Sequence, residues 1–264
     1  MECRIIGISI LHVRENKDAK ALLRKCMKGV HIGSPSTKNL EKDLLSLSAE
    51  ARIKKILTLY HPKVSLACSF SKEDLLIADM ILNINPKARI FAIDTLKLPK
   101  ETLECAEDFS IHSNCTIEWY KPTTGEVEQL VKEWGEDTYR DSIEARKACC
   151  NARKLQPLSR AIEGLDIWIT GLRRGQGDTR TTLSVFTPAS GNDLAKLNPL
   201  FDWTIEEVDA EIKKRNIPIN TLYESGYTSI GCDPCTKAVS SGEGIRDGRW
   251  WWENSDTKEC GLHQ

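Results

Sequence analysis

Three short apolar runs constrain the architecture most: Val64-Ser-Leu-Ala-Cys68, Arg89-Ile-Phe-Ala-Ile93 and Asp166-Ile-Trp-Ile-Thr170. They lack the polar alternation of a strand with one wet face, so they suit a sheet covered on both sides. Segments of helical spacing accompany them: Asp74–Leu82, Asn151–Ile162 and a stretch carrying Ile53, Ile56, Leu57 and Tyr60. Thr204-Ile-Glu-Glu207 is a capping box, and Ile205, Val208 and Ile212 form the apolar face behind it. This alternation predicts a doubly wound, mostly parallel α/β domain. With 264 residues, 40% of them hydrophobic, there is material for one sizeable core and a small appendage.

The charges exclude several classes. Thirty-seven basic residues against 38 acidic ones leave a net charge of −1, which gives no electrostatic case for a dedicated nucleic-acid or membrane-surface binder. No stretch approaches the roughly eighteen apolar residues of a membrane span. Ile5 to Val13 is preceded by Glu2 and Arg4, is followed by Arg14-Glu-Asn-Lys17 and lacks a small-residue cleavage site, so it reads as a strand rather than a signal peptide. A cytoplasmic, reducing setting is expected. Residues 1 to about 45 read as an extension of unassigned role, 46–240 as the main domain and 241–264 as a tail. No repeat or low-complexity segment is visible.

In such a sheet ligands sit at the carboxyl ends of the strands. The first exit reads Ser69-Phe-Ser71-Lys-Glu-Asp74. Free N–H groups at the start of the next helix, two hydroxyls and a lysine could hold an anion there, or Ser71 could simply cap the helix. At the second exit Asp94-Thr95 offers a carboxylate for a ribose hydroxyl, or a turn-forming aspartate. The third, Thr170-Gly171-Leu-Arg173-Arg174-Gly-Gln-Gly-Asp-Thr-Arg180, combines glycines with three permanent cations and points to anion binding rather than to a solvated basic loop.

Ten cysteines fall into kinds. Cys232-Asp-Pro-Cys235 has the spacing for a shared metal or a redox disulfide. Cys149-Cys150 could bond to each other only with strain. With the first pair they make four soft ligands, for a tetrahedral zinc or an iron–sulfur cluster. Adjacency fits a zinc knuckle poorly, whereas a cube presents separate irons to neighbouring ligands; two buried apolar cysteines are the plain alternative. Cys3, Cys26, Cys68, Cys105 and Cys115 lack partner spacing and read as structural. Cys260 lies on a glycine-bearing tail with Lys258 and His263, downstream of Arg246 and Arg249, which is the cationic company that activates a thiol. Trp250-Trp251-Trp252 should anchor the base of that tail.

From about Ser65 to the C-terminus the chain resembles the thioredoxin-dependent assimilatory adenylyl-sulfate (APS) reductases of the iron–sulfur type. The resemblance is carried by Cys149-Cys-Asn-Ala-Arg153-Lys154-Leu-Gln-Pro157-Leu, Trp168-Ile-Thr-Gly171-Leu-Arg173-Arg174 and Asn198-Pro-Leu-Phe-Asp202-Trp203-Thr204. Ile217-Pro218, Gly226-Tyr-Thr-Ser-Ile-Gly-Cys232-Asp-Pro-Cys235-Thr236, Gly248-Arg249-Trp-Trp-Trp-Glu253 and Lys258-Glu-Cys260-Gly-Leu-His263 complete it. It implies a sheet of the adenine nucleotide alpha-hydrolase-like (PP-loop) type and a [4Fe–4S] cluster on Cys149, Cys150, Cys232 and Cys235. It further implies Cys260 as nucleophile on a mobile tail, with APS and AMP as ligands and thioredoxin as reductant in sulfate assimilation and cysteine biosynthesis. The implied substrate-binding residues are Ser69, Ser71, Asp94, Thr95, Gly171 and Arg180, with the cations Lys154, Arg246 and Arg249 and the tail's His263 facing sulfate and phosphate. A homo-oligomer is left open. Family members more often carry glycine and alanine at 71 and 72, and glycine and arginine at 96 and 97.

Three rivals stand beside this expectation. One is the same reaction on 3′-phosphorylated APS (PAPS), or on both nucleotides. Another is an ATP pyrophosphatase or sulfur-transfer protein of the same fold, and the third is a non-catalytic cluster protein that senses redox state.

Overall fold

The computed structural model describes residues 35–177, 180–189 and 194–253. Six strands form one sheet: β1 (Val64–Ala67), β2 (Arg89–Ile93), β3 (Glu118–Tyr120), β4 (Ile167–Ile169), β5 (Phe186–Thr187) and β6 (Ala195–Leu197). Their order is β3-β2-β1-β4-β6-β5, parallel except for the antiparallel pair β5–β6. The chain winds outward from β1 through β2 to β3, then returns to lay β4 on the other side of β1. The β1/β4 junction is therefore the switch point at which such sheets bind ligands.

Helices α1 (Pro35–Leu45), α2 (Ala49–Tyr60), α3 (Lys72–Ile84) and α4 (Lys100–His112) precede α5 (Thr124–Trp134) and α6 (Ile143–Cys150). A wide π-helical turn over Asn151–Leu155 joins α6 to α7 (Gln156–Ile162), and α8 (Ile205–Arg215) follows the sheet. One face of the sheet is covered by a core that includes Ile53, Ile56, Leu75, Leu76, Ile77 and Val208. On the other, α7 sets Leu158 and Ala161 against Phe91 and Trp168. Leu40 and Leu44 of α1 join the main core, so the packed unit reaches back at least to that helix.

Side-chain locks tie these layers. Arg52, 3% exposed, donates to Asp202 through both terminal nitrogens (2.7 and 2.8 Å) and to Pro199 O (2.7 Å), which fixes the Asn198–Thr204 segment to α2. Asn198 accepts from Thr170 Oγ1 (2.5 Å) and donates to Ser184 O (2.9 Å), so it braces the end of β4. The Asn198–Thr204 motif is thus architectural. No helix among the described residues is long and apolar enough to cross a membrane.

Candidate active site

A cavity of about 570 Å³ opens at the carboxyl ends of β1 and β4, and all three strand exits border it. At the first exit Ser71 caps α3, accepting from Asp74 N (3.3 Å). Asp74 folds back so that its Oδ2 accepts from Ser69 N (2.8 Å) and from the Ser69 hydroxyl (2.5 Å). Ser69 N and its hydroxyl are thus engaged by Asp74. Lys72 Nζ pairs with Asp209 (2.7 Å) and lies 4.9 Å from the Tyr223 ring centre. Burial raises the Asp74 carboxyl to about 6; the Ser69 hydrogen bonds pull against this, while the neighbouring Glu73 adds to it. Gly171 completes the arrangement, because a Cβ there would stand 2.3 Å from Asp74 Oδ1 and 3.0 Å from Glu73 Cβ. Only glycine lets the first and third exits close on one another.

At the second exit Asp94 has the turn role. Its Oδ1 accepts from Leu96 N (2.8 Å) and its Oδ2 pairs with Lys121 (3.0 Å), and it does not line the cavity. Asp94 thus fills the turn-forming role that stood beside the ribose contact in its sequence. Thr95 does border the cavity, and its Oγ1 lies 3.1 Å from Cys232 Sγ.

The third exit is less cationic than its sequence. Arg173, 3% exposed, is neutralised by Glu73 (2.8 Å), and Arg174 turns away to donate to Leu183 O (2.9 Å) and stack on Phe201. Arg173 and Arg180 both line the cavity, Arg173 paired with Glu73 and Arg180 in contact with Gln176.

The cysteines converge. Cys149 and Cys150 end α6, while Cys232 caps and Cys235 ends a 3₁₀ turn over Asp233–Cys235. Burial, then Cys232 and Cys150, pushes the Cys235 thiol up to about 12, with Arg249 opposing; burial and then Cys232 also raise Cys149 against the pull of Arg153. The four are thus within electrostatic reach of one another although the sequence separates the pairs widely. Around them stand buried donors with no acceptor: Arg153 Nε, Arg249 Nε and Trp250 Nε1. A sulfur-rich group held by the four thiolates would supply acceptors, so the donor set fits an iron–sulfur cluster. No group of three or more His, Cys, Asp or Glu among the described residues is arranged for a single metal ion. Ligands of separate irons in a cluster need not be. Cys68 and Cys105 are buried, as expected of structural cysteines, although Cys68 also contributes to the cavity wall.

Lys154, Arg246 and Arg249 line the same cavity as Cys150, Cys232 and Cys235. Arg249 donates to Ile230 O (3.3 Å) and stacks 4.7 Å from the Trp250 ring centre. Gly231 makes room for it, since a Cβ there would lie 2.3 Å from Arg249 Nη2. Trp250 is 2% exposed, which bears out its anchoring role, and its backbone N donates to Cys235 O (3.1 Å). Cys260 and His263 lie outside the described residues.

Two contributors escaped the sequence reading. Asp74 gave no signal beyond its place in a helix start. Arg146 had no assigned role in the sequence, yet it is fully buried and held by Glu253 through paired 2.8 Å contacts.

Residues 63–238 match the family model described as the phosphoadenosine phosphosulfate reductase domain. The adenosine 5′-phosphosulfate reductase of Allochromatium vinosum is 45% identical over 76% of this chain and 78% of its own length. Among solved structures, a phosphoadenylyl-sulfate reductase from Candida auris aligns with a TM-score of 0.65 at 26% identity, over 76% of this chain and 95% of that one. An FMN adenylyltransferase from Candida glabrata (TM-score 0.50, 15% identity, 84% and 81% covered) shares the fold alone. The doubly wound sheet, the shared cavity and a match across most of the chain agree: this protein belongs to the phosphoadenosine phosphosulfate reductase family.

Proposed function

We propose that the chain reduces APS to sulfite and AMP, with a [4Fe–4S] cluster on Cys149, Cys150, Cys232 and Cys235 and a thioredoxin-type dithiol as reductant. One observation carries this reading: Lys154, Arg246 and Arg249 share a single cavity with Cys150, Cys232 and Cys235, beside the root of the segment that bears Cys260. An anionic phosphosulfate needs cations at the reacting centre before a thiolate can approach it. When bound, the cluster would supply local charge that tunes the sulfate site.

Lys154, Arg246 and Arg249 hold the phosphosulfate and spread its negative charge. The Cys260 thiolate attacks the sulfate sulfur, an S–S bond forms, and the bond from sulfur to the phosphate oxygen breaks. AMP departs with that electron pair and leaves an S-sulfonated Cys260. His263 belongs to the same tail and assists there. A thiolate of the partner dithiol then attacks Cys260 Sγ and sulfite leaves; the second partner thiol resolves the mixed disulfide and returns Cys260 reduced. The tail must move between cavity and partner, in a cell interior that keeps these thiols reduced.

An ATP pyrophosphatase or sulfur-transfer protein of the same fold is the rival of another class, and AMP release from ATP with no sulfite from APS would favour it. PAPS remains the nearest rival substrate, and the kcat/KM values for the two nucleotides decide between them. The direct test is anaerobic purification with iron and sulfide analysis, then incubation with APS without reductant. A gain of one SO₃ on the Cys260 peptide is expected. No gain, in protein that carries its iron, refutes the proposal.

A further inference from the structure

Glu253, the last described residue, is one end of a buried ion pair whose other end touches a proposed cluster ligand. Arg146 lies one helical turn before Cys150 on α6, on the same face. Its side chain is fully buried and that of Glu253 is 4% exposed. Nε and Nη2 donate to the two carboxylate oxygens of Glu253 at 2.8 Å each. The fixed fork of a guanidinium leaves further donors, and Cys150 accepts from it as well. The same guanidinium sits 4.7 Å from the Trp250 ring centre. Trp250 N in turn donates to Cys235 O (3.1 Å), and Glu253 N to Trp250 O (2.8 Å). The Trp250–Glu253 segment is therefore mounted on both cysteine pairs, on Cys150 through Arg146 and on Cys235 through its own backbone.

We infer that Arg146 is a positioning residue for the nucleophile: through Glu253 it fixes the root of the catalytic tail to the cysteine ligand set, so that the placement of Cys260 depends on whether the four cysteines hold their cluster. This rests on the function proposed above. Six residues separate Glu253 from Cys260, and the seven steps between them reach at most roughly 25 Å. Where Glu253 sits therefore limits where the sulfur can go. Two buried charges in one bidentate contact hold only while the geometry is good. A cluster lost from Cys150 and Cys235 removes the support beneath both ends of that contact.

Lys258 lies between Glu253 and Cys260 and gives a readout without substrate, because brief trypsin treatment under native conditions cleaves after it and the product is identified by mass. The full-length, cluster-loaded chain is compared with Glu253→Gln at matched iron content, each before and after iron removal by a chelator. In the wild type, iron removal is expected to raise cleavage at Lys258 at least five-fold. Iron-replete Glu253→Gln should already be cut at that raised rate, and iron removal should then add less than two-fold. Its kcat for APS should fall at least ten-fold with KM within two-fold, and Glu253→Asp should recover part of the loss. Should Glu253→Gln emerge without iron, Arg146→Lys, which keeps the charge but not the fork, takes its place under the same criteria. Wild-type cleavage in the iron-replete variant, or an equal rise on iron removal in both proteins, overturns the coupling. Wild-type protein that holds iron but fails to reduce APS would instead refute the proposed function, since the cleavage measurements need no nucleotide.

Discussion

Replacing Asp74 by asparagine isolates the cost of a buried carboxylate at the centre of the site. The side chain is 5% exposed, and its carboxyl is raised from 3.8 to about 6, chiefly by burial. An acid raised on folding is protonated in the native state while already ionised in the unfolded one, so it favours the fold most at low pH. That advantage fades as pH rises from 3.8 through about 6, above which the ionised native state carries the full penalty of ~3 kcal/mol. Between pH 4.5 and 7.5 the wild type should therefore lose ~2 kcal/mol of stability from this one group. The substituted amide cannot ionise, yet it keeps an oxygen to accept from Ser69 N. The weakened hydrogen bonds from Ser69 return about 1–2 kcal/mol of the gain. Asp74→Asn should thus be more stable than wild type by ~1–2 kcal/mol at pH 7.5 and equal or less stable at pH 4.5. Anaerobic urea unfolding across this range reads the difference directly, because all other titrating groups cancel between the two proteins. A wild-type-minus-variant difference that stays flat with pH would refute the argument.

Gly171→Ala should cost about 2–4 kcal/mol, lowering Tm by several degrees, because the new methyl meets a carboxylate fixed by two hydrogen bonds; Asp74→Ala in the same chain should restore part of it. Leu96 holds a left-handed φ of 59° and is 51% exposed, so Leu96→Gly should raise stability by up to ~1 kcal/mol in thermal unfolding. Cys232→Ser should abolish iron binding, measured as iron per chain and visible absorbance, whereas Cys68→Ser should retain both. Gly231→Ala should displace Arg249 and cut kcat/KM for APS at least ten-fold with iron content unchanged; unaltered kinetics would remove Arg249 from the site.

The central strands were legible because they are buried on both faces and so apolar throughout: β2 spans Arg89–Ile93 as predicted, and β1 and β4 fall within their predicted runs. The Thr204 capping box and the Ser71 cap also follow from local chemistry. The edge strands β3 and β5, and β6 beside β5, were not legible. β3 is three half-exposed residues, and β5 and β6 are two and three, too short for a period to register. The cations failed for another reason. Arg173 and Glu73 are a hundred positions apart, and nothing local announces that one neutralises the other. A carboxylate at a strand exit can bind or turn the chain, and for Asp94 the turn shows only in the hydrogen bond from Leu96. The π-helical turn likewise left no mark within a run that reads as one helix.

That turn fixes a phase. An α-helix advances about 100° per residue, so removing a single residue from Asn151–Leu155 would rotate everything downstream by that angle relative to Cys150. Leu158 and Ala161 would swing off Phe91 and Trp168 while the cysteines stayed in place. The stretch between the adjacent thiols and the sheet should therefore keep its fold through single substitutions but not through an insertion or deletion.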